Sequence, residues 1–260
     1  MTDHETGTRA EQPAARLDRT TLVVGASRGL GRGIAWAFAE AGAPVVAVAR
    51  TGPALAALAA ARPGIRAEVA DAADATAAWS LLDQYDPEVL ILVAGANPVM
   101  RPLQYQTWET FSVNWETDVR IAFTWLREAL LKPLPPGSRV VVMSSGAALN
   151  GSPASGGYAG AKATQRFIAG YAQDEARRAG LDITVTAVMP RMTPYGDVGR
   201  RGVRAYAART GQTEEAYLKQ LGELLTPELA GAVLVDLVRA DPATVAPGYV
   251  LTGAGLQKLP

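Results

Sequence analysis

The chain has 260 residues, 48% of them apolar, enough to bury one sizeable core, so a single domain is the starting expectation. Its 25 lysines and arginines balance 25 aspartates and glutamates, leaving no net field to hold a polyanion such as DNA or an acidic membrane surface. With no cysteine and with His4 as its one histidine, it offers no disulfide, no thiolate zinc site, no iron–sulfur cluster and no cysteine nucleophile, and no metal site is expected.

Residues 1 to 18 mix charges with small polar residues and lack the apolar stretch of a signal peptide, which predicts a disordered leader before one folded domain over 19–260. No run of about 18 apolar residues occurs. A cytoplasmic location, without membrane or nucleic-acid partners, is the expectation. Short β-branched runs then recur as candidate strands at Thr21 to Gly25, Val45 to Ala49, Arg66 to Ala70, Val89 to Ala94, Arg139 to Ser144 and Ile183 to Met189, with a last run at Tyr249 to Leu251. Between them, stretches such as Leu30 to Ala41 and Gly157 to Ala179 carry apolar residues at helical spacing and stop at Gly42 and Gly180. Apolar strands alternating with helices predict an α/β fold, a doubly wound parallel sheet of about seven strands with helices on both faces. Two regions break the rhythm, Asn97 to Val113 and Arg191 to Gly222. Each follows a strand end, where open α/β sheets bind ligands, so both are candidate substrate walls as well as ordinary solvated loops.

After the first strand comes Gly25-Ala26-Ser27-Arg28-Gly29-Leu30-Gly31, opening directly into a helix. Glycines here permit a tight turn and a close backbone approach to a pyrophosphate, whose charge the helix amides stabilise; the bland reading is a turn that packs helix against sheet. At the end of the second strand, an NAD-selective site would carry a carboxylate for the ribose hydroxyls. No acidic residue occurs between Glu40 and Glu68; Arg50 ends that strand and Arg28 stands inside the glycine turn. Two guanidinium groups at the adenosine ribose favour NADPH over NADH. Asp71, ending the third strand, has two readings: acceptor for the adenine amino group, or cap of the helix beginning near Ala73.

Tyr158 and Lys162 stand four positions apart on a predicted helix and share a face. An ammonium beside a phenol favours the phenolate and suits the hydroxyl to proton exchange. Ser145, at the end of the fifth strand, can hydrogen-bond a carbonyl and the alkoxide that develops from it, with Ser144 as the neighbouring alternative. A lone Tyr-x-x-x-Lys pair is commonplace. Its weight comes from order: glycine turn after strand one, arginine after strand two, serine after strand five, then tyrosine and lysine on the next helix.

In these pieces the sequence resembles the short-chain dehydrogenase/reductase family from about Thr21 to Leu251: VVGASRGLG at 23–31, VAGA at 93–96, SSGAALNGSPASGGYAGAK at 144–162 and VMP at 188–190. The resemblance implies a single Rossmann-type domain and a nicotinamide-linked oxidoreductase. Ser145 would position substrate, Tyr158 exchange the proton, and Lys162 bind the nicotinamide ribose. Cofactor contacts are then expected from Gly25, Ser27, Arg28, Gly29, Leu30, Gly31, Arg50, Asp71, Ala72, Ala94, Gly95, Tyr158, Lys162, Pro190 and Thr193.

Three departures stand out. Val93 replaces a usual asparagine, and Arg191 a usual glycine. The fourth-helix asparagine that holds a water near the lysine aligns with Asp118, placed in the catalytic set, or with Asn114 one turn away; Asp118 would compensate its charge by pairing with Lys162. The expected reaction is NADPH-dependent reduction of a ketone or aldehyde to an alcohol, or the reverse. The alternatives are an isomerase, dehydratase or cyclase on the same scaffold, or a non-catalytic NADPH-binding protein. The partner is a small-molecule carbonyl or alcohol, with Met192, Tyr195 and Tyr206 offering an apolar wall and Arg200, Arg201, Arg204 and Arg209 either an anion site or a solvated helix face. The resemblance also implies a homodimer or homotetramer, commonly through the helices over 104–131 and 157–179.

Overall fold

The computed structural model describes residues 16–259. One eight-stranded sheet runs through it, from β1 (Thr21–Val24), β2 (Val45–Ala49), β3 (Ile65–Val69) and β4 (Val89–Leu92) to β5 (Ser138–Met143), β6 (Ile183–Pro190), β7 (Gly248–Thr252) and β8 (Gly255–Lys258). Their spatial order is β3-β2-β1-β4-β5-β6-β7-β8. Every neighbouring pair is parallel except β7 with β8. The expected seven strands are all present; the eighth, an antiparallel edge, is an addition. Its Gly-Leu-Gln-Lys sequence lacks a β-branched run, and the turn at Gly255 (φ +102°) sends it back along β7.

Side-chain alternation along the strands feeds two cores, one on each face. In β1, Val23 points to one core while Leu22 and Val24 point to the other. The first is closed by α1 (Gly29–Glu40), α2 (Gly52–Ala61) and α10 (Pro227–Arg239), through Phe38, Leu58 and Leu234 among others. The second is closed by α3 (Ala75–Tyr85), α5 (Arg120–Leu131) and α7 (Tyr158–Arg178), with Trp125 at its centre, its indole donating to the Ala72 carbonyl at 2.9 Å. Before α5 lie α4 (Trp108–Asn114) and a π-helical turn (Trp115–Val119). The short α6 (Ala147–Asn150) precedes α7.

Sequence positions moved at three places. Leu17, expected in the leader, is buried in the first core and its amide donates to the Ala41 carbonyl at 2.8 Å, so ordered packing begins before residue 19. Residues 1 to 15 of the expected leader, with His4, lie outside the described residues. The region Arg191 to Gly222, read as irregular, contains α8 (Asp197–Arg209) and α9 (Glu214–Gln220). Asn97 to Val113 likewise holds a 3-10 turn at Leu103–Tyr105 and most of α4. No helix among the described residues is long and apolar enough to cross a membrane.

α1 and α10 touch backbone to backbone because both carry glycine at the crossing. A Cβ on Gly231 would lie 2.5 Å from the Ala37 Cβ and 2.6 Å from the Gly33 carbonyl oxygen. Alanine would normally favour a helix, but this contact leaves no space for its methyl group. We therefore expect Gly231→Ala to lower stability by about 1–3 kcal/mol through overpacking, read as a decreased urea midpoint; an unchanged or raised midpoint would show that the two helices can separate freely.

Candidate active site

The strand order reverses between β1 and β4, and the loops leaving both strands open into one cavity of about 720 Å³. Gly25 (φ +102°) and Gly29 (φ +53°) occupy conformations that side chains disfavour. A Cβ on Gly25 would stand 2.5 Å from the Ala94 amide nitrogen, so the glycine turn lies directly on the exit of β4. The first turn of α1 has no side-chain cap and no acidic residue. Its amides face a cavity lined by Gly25, Ser27, Arg28, Gly29, Leu30 and Gly31, an arrangement that fits a diphosphate.

Arg50, exposed at the end of β2, lines the same cavity, as do Asp71, Ala72, Ala94 and Gly95. Thr51, beside Arg50, also lines it and caps α2 with backbone only, leaving its hydroxyl uncommitted to the cap; the sequence reading passed over it. Asp71 accepts from the Ala73 amide at 3.0 Å, closing a local turn, whereas the cap of α3 is Asp74, which accepts from the Thr76 amide at 2.9 Å. The capping reading of Asp71 is corrected accordingly: Asp74 is the residue that immediately precedes the helix.

Ser145, Tyr158 and Lys162 all border this cavity. The end of β5 supplies the serine and the start of α7 the other two. The Ser144 hydroxyl donates to the Lys162 carbonyl at 2.7 Å and is buried, so Ser144 anchors α7 while Ser145 remains half-buried at the cavity wall. Ser145 Oγ accepts from the Ala147 amide at 3.2 Å, which leaves its proton available. Lys162 Nζ lies 5.7 Å from the Tyr158 ring centroid, and the Tyr158 hydroxyl has no protein hydrogen-bond partner among the described residues.

Lys162 is buried with Asp118. Its ammonium stands 3.2 Å from Asp118 Oδ2 and donates to Gln165 Oε1 at 2.9 Å and to the Met143 carbonyl at 3.3 Å. The contact with Oδ2 is a charge pairing rather than an aligned hydrogen bond. The other carboxylate oxygen accepts from the Ala96 amide at 2.7 Å and from Asn114 Nδ2 at 3.3 Å. Asn114 also donates to the Ala96 carbonyl at 2.9 Å. Thus Asp118 faces the lysine and Asn114 stands behind it. Burial pulls the Lys162 ammonium toward its neutral form, but the Asp118 carboxylate and then the Tyr158 phenol outweigh it and hold the group above the usual lysine range.

Gln165 is a residue that sequence reading missed. It is buried and donates to the Asp118 backbone carbonyl at 2.7 Å, bridging α7 to the π-helical turn. Val93, at the usual asparagine position, packs against the first core, and the polar anchoring of the loop after β4 comes instead from Asp118 and Asn114.

Pro190, at the end of β6, and Thr193 beyond it border the cavity, but the Thr193 hydroxyl donates to the Leu225 carbonyl at 2.6 Å. Its proton is committed there and its oxygen already accepts from the Tyr195 amide at 3.4 Å, so one lone pair remains. Met192 and Tyr206 line the far wall together with Leu149, Met100 and Tyr217. Tyr195, expected in that wall, is exposed and does not line the cavity, whereas Tyr217 of α9 does. Arg200 and Arg204 pair with Asp197 and Glu214 on the surface, and Arg200, Arg201, Arg204 and Arg209 do not line the cavity, which favours the solvated-face reading of this run. No cluster of metal-binding side chains occurs among the described residues.

The family model described as short chain dehydrogenase matches residues 19–213. A hydroxynaphthalene reductase-like protein Arp2 of Metarhizium majus is 30% identical over 198 residues, 69% of this chain and 70% of that protein. L-xylulose reductases of Mesocricetus auratus and Homo sapiens are 34% and 35% identical over 102 residues, 39% of this chain and 42% of each relative, so with these the chain shares less than half their length. A crystal structure of a short chain dehydrogenase from Mycobacterium avium superposes with a TM-score of 0.75 at 22% identity, covering 95% of this chain and 86% of that one, a likeness of fold. The match over residues 19–213, on a doubly wound sheet with its cavity at the strand-order reversal, means that the chain belongs to the short-chain dehydrogenase family of nicotinamide-linked oxidoreductases.

Proposed function

We propose that the protein is an NADPH-dependent carbonyl reductase acting on a small, largely apolar ketone or aldehyde, with Ser145, Tyr158 and Lys162 as its proton-transfer site. The carrying observation is that a free phenol, a serine hydroxyl with an available proton and a buried ammonium border one cavity with an uncapped, glycine-lined helix N-terminus. The relatives in Metarhizium, hamster and human are reductases or reductase-like, which supports the reductive direction.

Bound in the glycine cradle, the nicotinamide dinucleotide supplies hydride. The protein's own groups do the rest. Ser145 donates a hydrogen bond to the carbonyl oxygen and stabilises the charge that grows there. Tyr158 delivers the proton to that oxygen, and the Lys162 ammonium beside its ring stabilises the phenolate left behind. Asp118 and Gln165 hold Lys162 in place. Arg50 takes the extra phosphate of NADPH together with Arg28, and the absence of a carboxylate at the end of β2 removes the group that would favour NADH. Met100, Leu149, Met192, Tyr206 and Tyr217 suit an apolar substrate. Phe123, Leu131, Phe167 and Tyr171, exposed along α5 and α7, fit the face of a homodimer with a second copy of the chain.

Removing the phenolic hydroxyl alone tests the assignment. In Tyr158→Phe, reduction of an accepted ketone should fall about 10²–10⁴-fold in kcat at saturating NADPH; wild-type turnover would eliminate Tyr158 as the acid. The cofactor assignment is read separately. Arg50→Ala should weaken NADPH by about tenfold or more, as loss of a charged hydrogen bond does, and leave NADH little changed in a fluorescence titration; equal losses for both would exclude Arg50 as the selective group.

The Lys162–Asp118 pair sets a pH dependence. A folded value above the usual lysine range keeps the ammonium, and the stability it lends, complete below that range; both are lost as pH rises through the raised value. In Asp118→Asn the opposing carboxylate charge is gone and burial dominates, so the proton leaves at lower pH. The alkaline fall of kcat/KM should accordingly move to lower pH than in the wild type; a fall that stays in place would mean that Lys162 does not control it.

A further inference from the structure

The glycine turn and the helix that walls the substrate side meet directly. A Cβ on Gly29 would lie 3.5 Å from the Gly196 Cα and 3.6 Å from the Tyr195 carbonyl oxygen. At that junction Arg28 Nη1 stands 2.6 Å from Asp197 Oδ2. Asp197 is the first residue of α8, borders the cavity, and is held as well by Arg200 one turn on. Arg50 has no ion-pair partner among the described residues. Of the two cations assigned above to the extra phosphate, one is therefore already neutralised from within the chain.

We propose that Asp197 is a specificity-determining residue of the dinucleotide site: it competes with the extra phosphate of NADPH for Arg28, so that filling the phosphate site releases the first turn of α8. The inference rests on the NADPH reading given above. Charge bookkeeping favours the exchange. Before binding, Asp197 shares two guanidinium groups; afterwards the phosphate holds Arg28 and Asp197 keeps Arg200, so no ion is stranded. NADH lacks that phosphate and leaves the Arg28–Asp197 pair as it is. The same helix carries Tyr206, whose hydroxyl meets Ser152 Oγ at 2.8 Å across the substrate mouth. Exchange at Arg28 thus reaches the substrate wall through one rigid element.

Titration of NADPH and NADH into the wild type, Asp197→Asn, Arg28→Ala and the double variant separates the possibilities. Exposed pairs are weak, so Asp197→Asn should tighten NADPH by about three- to fivefold, leave NADH within about twofold, and do nothing further once Arg28 is alanine. The gain should shrink at high salt. Asp197→Ser, which also suits a helix start, should behave alike and guards against a fault of one variant. Unchanged NADPH binding, or an equal gain for both dinucleotides, overturns the role of Asp197 while Arg28→Ala still weakens NADPH selectively. If Arg28→Ala does not discriminate between the dinucleotides, the Arg28 part of the NADPH reading falls and takes this inference with it.

Discussion

One buried ammonium organises the site. Taking a lysine out of water costs several kcal/mol unless its charge and its protons find partners, and Lys162 finds them on three separate elements. Met143 closes β5, Gln165 stands one turn further along α7, and Asp118 belongs to the π-helical turn before α5. Asp118 in turn holds the loop after β4 through the Ala96 amide. Satisfying that single charge therefore fixes the distances between strand ends, loop and helix on which the proposed proton-transfer site depends. The π turn contributes geometrically: its wider winding presents both the Asp118 side chain and its backbone carbonyl toward α7, where Gln165 meets the carbonyl.

The sheet supplies the frame for this arrangement. Parallel strands need crossover helices, and crossovers return every strand in the same sense, so the ends of β1, β2, β4, β5 and β6 all open on one side. Residues far apart in sequence are thereby delivered to one cavity. Gly25 and Ala94 show how close that delivery is, since a single methyl group at Gly25 would strike the neighbouring backbone. The glycine turn is thus constrained twice, by the approach of β4 behind it and by the open cradle in front.

Most of this was legible in the chain because it is encoded locally. β-branched runs between alanine-rich segments mark seven strands, and the glycine, arginine, serine, tyrosine and lysine positions follow strand ends in the order that a doubly wound sheet requires. What escaped notice depends on contacts that spacing does not encode. Gln165 has the look of an ordinary polar helix residue until the π turn brings a carbonyl to it. β8 is short and polar, and pairs only because the turn at Gly255 folds it onto β7. Choosing between Asp118 and Asn114 took a family resemblance, since both lie on one helical face and only the packing of α7 decides which meets the lysine. The sequence places Arg28 in the glycine turn but gives no sign of its partner Asp197, which lies far along the chain in a region without strand periodicity.

The two ion pairs of the cavity differ in burial, and that difference assigns them different work. Lys162 and Asp118 expose 6% and 1% of their side chains, whereas Arg28 and Asp197 expose 66% and 25%. Breaking a buried pair strands a charge in a poorly polarisable interior, at a cost of about 3–5 kcal/mol, so the first pair is a permanent part of the frame. An exposed pair is worth about 0–1 kcal/mol because water takes over each partner when they separate, and a phosphate that brings more charge than a carboxylate can displace one member. Exposure thus leaves the pair at the cavity mouth open to the proposed exchange, while burial keeps the pair beneath the phenol fixed, so a ligand that makes the exchange rearranges the entrance without disturbing Ser145, Tyr158 and Lys162.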